Sequence, residues 1–154
     1  MKAQYINSFY KAVLDVFKLM LDINPEREEL AVVDDMITGN EANVMIGITG
    51  DLAGSVLFGF TKDMTLEMVK IMSGMEMKKL DSFVSSALGE VVNIISGNAV
   101  TNLSKEGYTC DISPPQVIIG ENRSISMATE KALTLPIKTE IGKFEVNISI
   151  RENH

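Results

Sequence analysis

The chain has 154 residues, 45% of them hydrophobic and 23% charged, a composition typical of a folded globular domain. Its net charge of −7 argues against broad nucleic-acid binding and against binding to anionic membranes, since both use clustered Lys and Arg. Cys110 is the only cysteine, so an internal disulfide is excluded and a cytoplasmic location is expected. No signal peptide or run of 18 apolar residues is recognisable. We expect one domain over residues 1–154.

An amphipathic helix is predicted over residues 2–21, where apolar residues recur at three- and four-residue spacing. The apolar stripe comprises Tyr5, Phe9, Ala12, Val13, Val16, Leu19 and Met20. Pro25 follows, and the residue before a proline is pushed out of the helical conformation. We expect the stripe to pack in the core, with a groove for a partner as the alternative.

Strands are predicted next, where short apolar runs lie between breaks that contain glycine. These runs cover residues 30–36, 43–49 and 52–60, and the first break contains Gly39. Gly50 and Asp51 separate the last two runs and predict a tight hairpin, because glycine readily adopts a positive φ. Gly54 and Gly59 within the third run predict a bulge or the close approach of another backbone.

A shorter helix is predicted from a cap at Thr61 or Asp63 to about residue 72, with Gly74 as its stop. The region is rich in methionine, which more often fills core gaps than forms a binding cleft. These methionines are Met64, Met68, Met72, Met75 and Met77.

Strands return near the end of the chain, after Pro114 and Pro115 exclude regular helix. The strand-like runs cover residues 116–119, 134–140 and 143–151, with Ile141 and Gly142 at the turn of the final hairpin. Helices grouped between runs of strands predict an α+β fold with a largely antiparallel sheet.

The longest predicted helix begins at Asp81 or Ser82 and continues to about Lys105, before Gly107. Its buried stripe is predicted to comprise Leu88, Val91, Val92, Ile95, Ala99 and Leu103. The opposite face comprises Ser86, Glu90, Asn93, Gly97 and Thr101. A solvated helix face is usually rich in Lys, Glu and Arg, whereas this face is predicted to be small and polar.

Two features of this face indicate a function. Gly97 in a helix interior costs about 0.5–1 kcal/mol relative to alanine, which suggests room for an approaching surface. Glu90 and Asn93 are three residues apart and point at the same target. The spacing alone leaves open that the pair arose by chance. Asn98 and Asn102 lie nearer the buried side and are expected to satisfy backbone groups.

Familiar catalytic motifs are absent from the sequence. No GxGxxG or GxxxxGK[ST] segment provides a phosphate cradle. His154 is the only histidine, which excludes Ser-His-Asp triads, Cys-His dyads and histidine-rich metal sites. Cys110 is expected to be a structural thiol. Any catalysis must therefore use Glu90 and Asn93 together with chemistry supplied by another molecule.

The sequence resembles the CheC/CheX/FliY family of chemotaxis phosphatases, and CheX in particular. The resemblance rests on Ser-Ala-Leu-Gly-Glu-Val-Val-Asn at 86–93, Gly-Asn-Ala at 97–99 and the later proline pair. Segments 48–55 and 112–115 extend it over nearly the whole chain. The first helix lacks a second Glu-x-x-Asn pattern, so one site per chain is implied, as in CheX. The proline pair lies slightly closer to Asn93 than the family spacing.

The resemblance implies a CheC-like fold, with the sheet packed against a long catalytic helix and an N-terminal helix. It also implies hydrolysis of the aspartyl-phosphate of phosphorylated CheY, a response regulator. Asn93 would hold the attacking water, and Glu90 would bridge to a lysine of the regulator. Ser86 and Gly97 would let the regulator come close. The chain would need no cofactor of its own, because Mg²⁺ is expected on the regulator.

Other interpretations of the same residues stay open. One is a non-catalytic CheX-like module that binds a response regulator or a flagellar switch component. Another is a structural dimerisation domain. The resemblance also implies a homodimer, and we expect neither a nucleic acid nor a membrane among the partners.

Overall fold

Local capping chemistry sets the ends of the helices. The computed structural model describes residues 1–33, 36–38, 40–120, 124–126 and 132–153. Its helices are α1 (Ala3–Leu21), α2 (Lys62–Ser73) and α3 (Ser82–Lys105). The Thr61 side chain caps α2 and the Asp81 side chain caps α3, each accepting a hydrogen bond from a backbone N–H of the first turn. Gly74 ends α2 with a φ of 74°. These starts and stops confirm the sequence prediction.

The strands of the described residues pair antiparallel throughout. They are β1 (Glu26–Arg27), β2 (Ala31–Val33), β3 (Met36–Thr38), β4 (Ala42–Gly50), β5 (Leu52–Phe60), β6 (Cys110–Ile112), β7 (Gln116–Ile119), β8 (Ser124–Ser126), β9 (Ala132–Thr139) and β10 (Gly142–Glu152). The main sheet has the order β1-β9-β10-β5-β4-β6, and β2 also pairs with β9 while β7 also pairs with β4. Strands β3 and β8 form a separate pair. The predicted α+β class with an antiparallel sheet is confirmed.

Gly50 and Gly54 of the β4–β5 hairpin have the geometry that the sequence predicts. Gly50 has a φ of 111° at the turn. Gly54 has a φ of 150°, and a Cβ there would overlap the carbonyl oxygen of Ser149 on β10. At Gly59 a Cβ would instead meet the side chains of Asn40 and Glu145, so the predicted close approach of a backbone is not found there. The predicted close approach of another backbone is therefore the approach of β10 at Gly54.

The main core lies between one face of the sheet and the helices. Alternate residues of β4 and β5 are buried there with the inner faces of α1 and α3. The aromatic ring of Phe144 stacks on Phe17 of α1 at 5.2 Å and on Phe60 of β5 at 4.9 Å. Burying each such side chain contributes about 1.5–3 kcal/mol, so this packing fixes α1 and α3 on the sheet.

Three predictions need correction. Leu19 is 85% exposed, because it lies at the margin of the apolar stripe in the last turn of α1. The run 30–36 is two strands, β2 in the main sheet and β3 in the separate pair, and residues 34, 35 and 39 lie outside the described residues. Strands β1, β6 and β8 were not predicted, because two or three residues are too short to show alternation.

Within the described part of the chain, α3 is the one helix long and apolar enough to cross a membrane by length and composition. Its most apolar 18-residue window has a mean hydropathy of 1.2. The buried residues of α3 belong to the main core, where they pack with α1 and the sheet. The buried apolar residues of α3 thus contribute to the core of the fold.

Candidate functional site

The residues singled out in the sequence lie together on the outward face of α3. Ser86, Glu90 and Gly97 are exposed, and Asn93 is half-buried. The predicted stripe on the other side is buried, from Leu88 to Leu103. This arrangement follows from the helical period of 3.6 residues, which returns positions three and four apart to the same side.

Two polar side chains of this face, Glu90 and Asn93, have no partner within the described residues, whereas the Thr101 hydroxyl donates to the Gly97 carbonyl at 3.2 Å. Neither the Glu90 carboxylate nor the Asn93 amide makes a hydrogen bond or an ion pair there, whereas the two later asparagines of α3 are tied down. Asn102 donates from Nδ2 to the Ser8 carbonyl at 3.0 Å, as the sequence predicts for a residue nearer the buried side. The carboxylate and amide of the outward face therefore remain available to another molecule.

The connection between β6 and β7 is anchored to the sheet at Gly47. The Ser113 hydroxyl accepts a hydrogen bond from the Gly47 N–H at 2.7 Å, and the Ser113 N–H donates to the Gly47 carbonyl at 2.9 Å. A Cβ on Gly47 would lie only 3.1 Å from Ser113 Oγ, so glycine allows this close contact. Pro114 and Pro115 follow directly from this anchored residue.

The same connection lies against α3 beside the candidate site. A Cβ on Gly89 would lie 3.2 Å from Val117 Cγ2 and 3.9 Å from Pro115 Cγ. Gly89 is buried one helical turn before Asn93, so the proline segment borders the Asn93 side of the outward face of α3. The absence of a side chain at Gly89 is what brings this segment so close. The sequence analysis identified the proline pair, but nothing in the sequence predicted its contact with Gly89.

The prediction that the outward face is small and polar is incomplete. Phe83 is 44% exposed and Ile94 is 37% exposed. They lie seven residues before and four residues after Glu90, so the helical period places them on the same side. The sequence could have revealed them, because the same helical spacing that groups the polar residues also places Phe83 and Ile94 on this face.

Among the described residues, no group of three or more His, Cys, Asp and Glu side chains is placed to hold a metal ion. Cys110 is buried, and burial raises the pKa of its thiol, as suits a structural cysteine. His154 lies outside the described residues.

Comparisons with known proteins agree with this fold. A CheC-like superfamily protein from Shewanella sp. PV-4 matches with a TM-score of 0.90 at 25% identity, covering 98% of this chain and 99% of that one. A CheY-P phosphatase CheX from Thermotoga maritima is 29% identical over 153 residues, 98% of each chain. A chain of the CheX–CheY–BeF3–Mg²⁺ complex from Borrelia burgdorferi matches with a TM-score of 0.80 at 34% identity, covering 96% of this chain and 98% of that one.

The helices, the antiparallel sheet and these matches define a protein of the CheC-like superfamily. A family model described as chemotaxis phosphatase CheX matches residues 42–138, more than half of the chain. The chain therefore belongs to the CheX family of chemotaxis phosphatases, which confirms the resemblance read from its sequence.

Proposed function

We propose that this chain hydrolyses the aspartyl-phosphate of a phosphorylated CheY-type response regulator. The observation that carries the proposal is the Glu90–Asn93 pair, whose polar groups have no partner among the described residues and face outward from a helix anchored on its other side. Membership of the CheX family and the CheY-P phosphatase from Thermotoga maritima support the same activity.

The chemistry suits a carboxylate and an amide. Water attacks the phosphorus, the bond to the aspartate oxygen breaks, and phosphate leaves as the carboxylate of the regulator is restored. The transition state is loose, so most of the gain comes from positioning and electrostatics. The Asn93 amide orients the water without titrating, and Glu90 pairs with a lysine of the regulator. Ser86 and Gly97 keep the helix surface low enough for close approach.

The remaining parts of the site belong to the regulator. In this proposal the regulator supplies the phosphoaspartate, the lysine and the Mg²⁺ that neutralises developing charge. The Borrelia burgdorferi complex, which contains CheX, CheY, BeF3 and Mg²⁺, supports such a composite site. We place the activity in the cytoplasm, which suits a chain whose single cysteine has no partner for an internal disulfide.

We also propose a homodimer. Within the described residues, the outer side of strand β9 pairs with two short strands, β1 and β2, and Val32 of β2 is 65% exposed. An exposed apolar side chain on a short edge strand favours pairing with a second chain. Light scattering of the purified chain should give twice the 16.9 kDa of one chain, and a monomeric mass would contradict the dimer.

A decay assay tests the phosphatase activity. The CheY-type regulator of the same organism is loaded from a small-molecule phosphodonor, and loss of phosphoaspartate is followed with and without the chain. We expect Asn93→Ala to lower kcat by about 10² or more, and Glu90→Gln to weaken both kcat and binding, since both groups act on the transition state. Asn7→Ala on α1 and Glu67→Gln on α2 are the matched controls and should behave like the unmodified chain.

The outcomes separate the proposed enzyme from a binding module. If decay is not accelerated although the regulator binds, the chain is a docking module and the phosphatase proposal is wrong. If Asn93→Ala keeps binding and loses turnover, docking and chemistry are divided between residues as proposed.

A further inference from the structure

The outward face of α3 contains an apolar row beside its polar row. Phe83 and Ile94 are large, apolar and 44% and 37% exposed. Their exposure contrasts with that of Ile95, which is next to Ile94 in the sequence and fully buried. Exposing two large apolar side chains to water on one face of a helix is unfavourable, and a surface that covers them would gain the free energy of their burial.

The helical period fixes where this row lies relative to the proposed site. Phe83 is about 10 Å and Ile94 about 6 Å along the axis from Glu90, at a rise of about 1.5 Å per residue. At about 100° per residue, both project on one side of Glu90, and Asn93 projects on the other side. Glu90 therefore separates an apolar row, Phe83 and Ile94, from a polar row, Ser86, Asn93 and Gly97.

A regulator bound at Glu90 and Asn93 has to cover this apolar row. A stable protein interface buries about 800 Å² per partner, equivalent to a disc of about 16 Å radius. Phe83 and Ile94 both lie inside such a disc centred on Glu90. Interface centres are enriched in aromatic and large apolar residues, and a few of these dominate the binding energy.

We propose that Phe83 and Ile94 form a docking ridge that binds an apolar surface beside the phosphoaspartate of the response regulator. This inference rests on the proposed function, and it assigns binding and chemistry to different residues of α3. The ridge holds substrate and transition state equally, so it contributes to binding, whereas Asn93 acts on the chemical step.

Kinetics and direct binding test the ridge. Steady-state dephosphorylation of the regulator of the same organism is measured for Phe83→Ala, Ile94→Ala and the control Ile71→Ala, whose side chain is 40% exposed on α2. We expect KM to rise about tenfold for each ridge variant with kcat unchanged, and neither value to change for the control. Phe83→Leu should restore KM to near the original value, because an apolar side chain is retained.

Binding of the regulator activated with beryllofluoride separates this inference from the phosphatase proposal. If the chain does not accelerate decay, the phosphatase proposal fails, and the ridge stands only if Phe83→Ala and Ile94→Ala still weaken this binding about tenfold. Unchanged melting temperatures show that the variants are folded. The ridge is wrong if both variants bind and turn over like Ile71→Ala. It is also wrong if they dissociate a homodimer while regulator binding is unchanged, since the occupant is then a second copy.

Discussion

Gly89 and Gly97 lie eight residues apart on α3 in different surroundings. A Cβ on Gly89 would press on Val117 at 3.2 Å, whereas a Cβ on Gly97 would meet no neighbouring group within 4 Å. Packing against Val117 therefore explains why residue 89 is glycine, whereas no contact among the described residues explains the glycine at 97. We infer that Gly97 is kept for a surface outside the chain, which agrees with its place beside Asn93.

Gly97→Ala separates stability from docking. The unfolding free energy should rise by about 0.5–1 kcal/mol, because alanine loses less backbone entropy in a helix. KM for the phosphorylated regulator should rise, because the added methyl group stands where the partner approaches. Urea unfolding and steady-state kinetics measure the two effects. A stabilised chain with unchanged KM would remove Gly97 from the proposed interface.

Glu145 on β10 predicts a pH dependence of stability. Burial raises the pKa of its carboxyl above the usual range, although Asn40 donates a hydrogen bond to Oε1 at 3.0 Å. Between the usual pKa of about 4.3 and this raised value, the folded chain binds more protons than the unfolded chain. The contribution of Glu145 to stability therefore falls as pH rises through that window and stays reduced above it.

Glu145→Gln should remove the loss of stability that ionisation of Glu145 causes as pH rises. The variant should unfold at higher urea concentration than the unmodified chain at pH 7, and the difference should shrink towards pH 4. Glu140→Gln is the control, because Glu140 is exposed at the turn of the same hairpin. A gain that is equal at both pH values would show that the effect does not come from protonation of Glu145.

At the scale of the element, α3 shows how far helical spacing predicts a site. Its ends and buried stripe follow from local signals, namely the Asp81 cap and the period of 3.6 residues. The exposure of Phe83 and Ile94 was missed because helical spacing was applied only to the buried stripe and to the small or polar residues opposite it, and these two residues were assigned to neither face. Ile94 and Ile95 show why type is insufficient, since one helical step of about 100° moves an isoleucine from surface to core.

At Gly54, the close approach of β10 to β5 leaves no room for a side chain. Gly54→Ala places a methyl group against the Ser149 carbonyl and forces a side chain onto a backbone with a φ of 150°. We expect a loss of about 2 kcal/mol or more in unfolding free energy, because this backbone conformation is essentially restricted to glycine. Gly74→Ala is the control, since φ is 74° there but nothing lies within 4 Å. Equal losses in urea unfolding would show that β10 does not restrict this position.

At the scale of the whole molecule, the sequence predicts the helices and strands better than it predicts which of them lie next to each other. Gly54 and its partner Ile150 on β10 are far apart in the chain, and no local pattern specifies that pairing. The proline segment lies beside Gly89 because β6 and β7 both return to β4. Such contacts depend on the register of the whole sheet, so spacing within α3 found Glu90 and Asn93 but not the segment that borders them.

The proposed active site is complete only when the regulator docks, and this predicts where Mg²⁺ acts. In the proposed mechanism the metal would neutralise charge on the transferring phosphoryl group, and that group would be part of the regulator. We expect the chain alone to bind no Mg²⁺ at millimolar concentration in calorimetry, while accelerated dephosphorylation requires it. Glu90→Gln, which removes the carboxylate of the proposed site, should leave the half-saturating Mg²⁺ concentration unchanged. Mg²⁺ binding by the chain alone that Glu90→Gln abolishes would make Glu90 a metal ligand and contradict the proposed division between the two proteins.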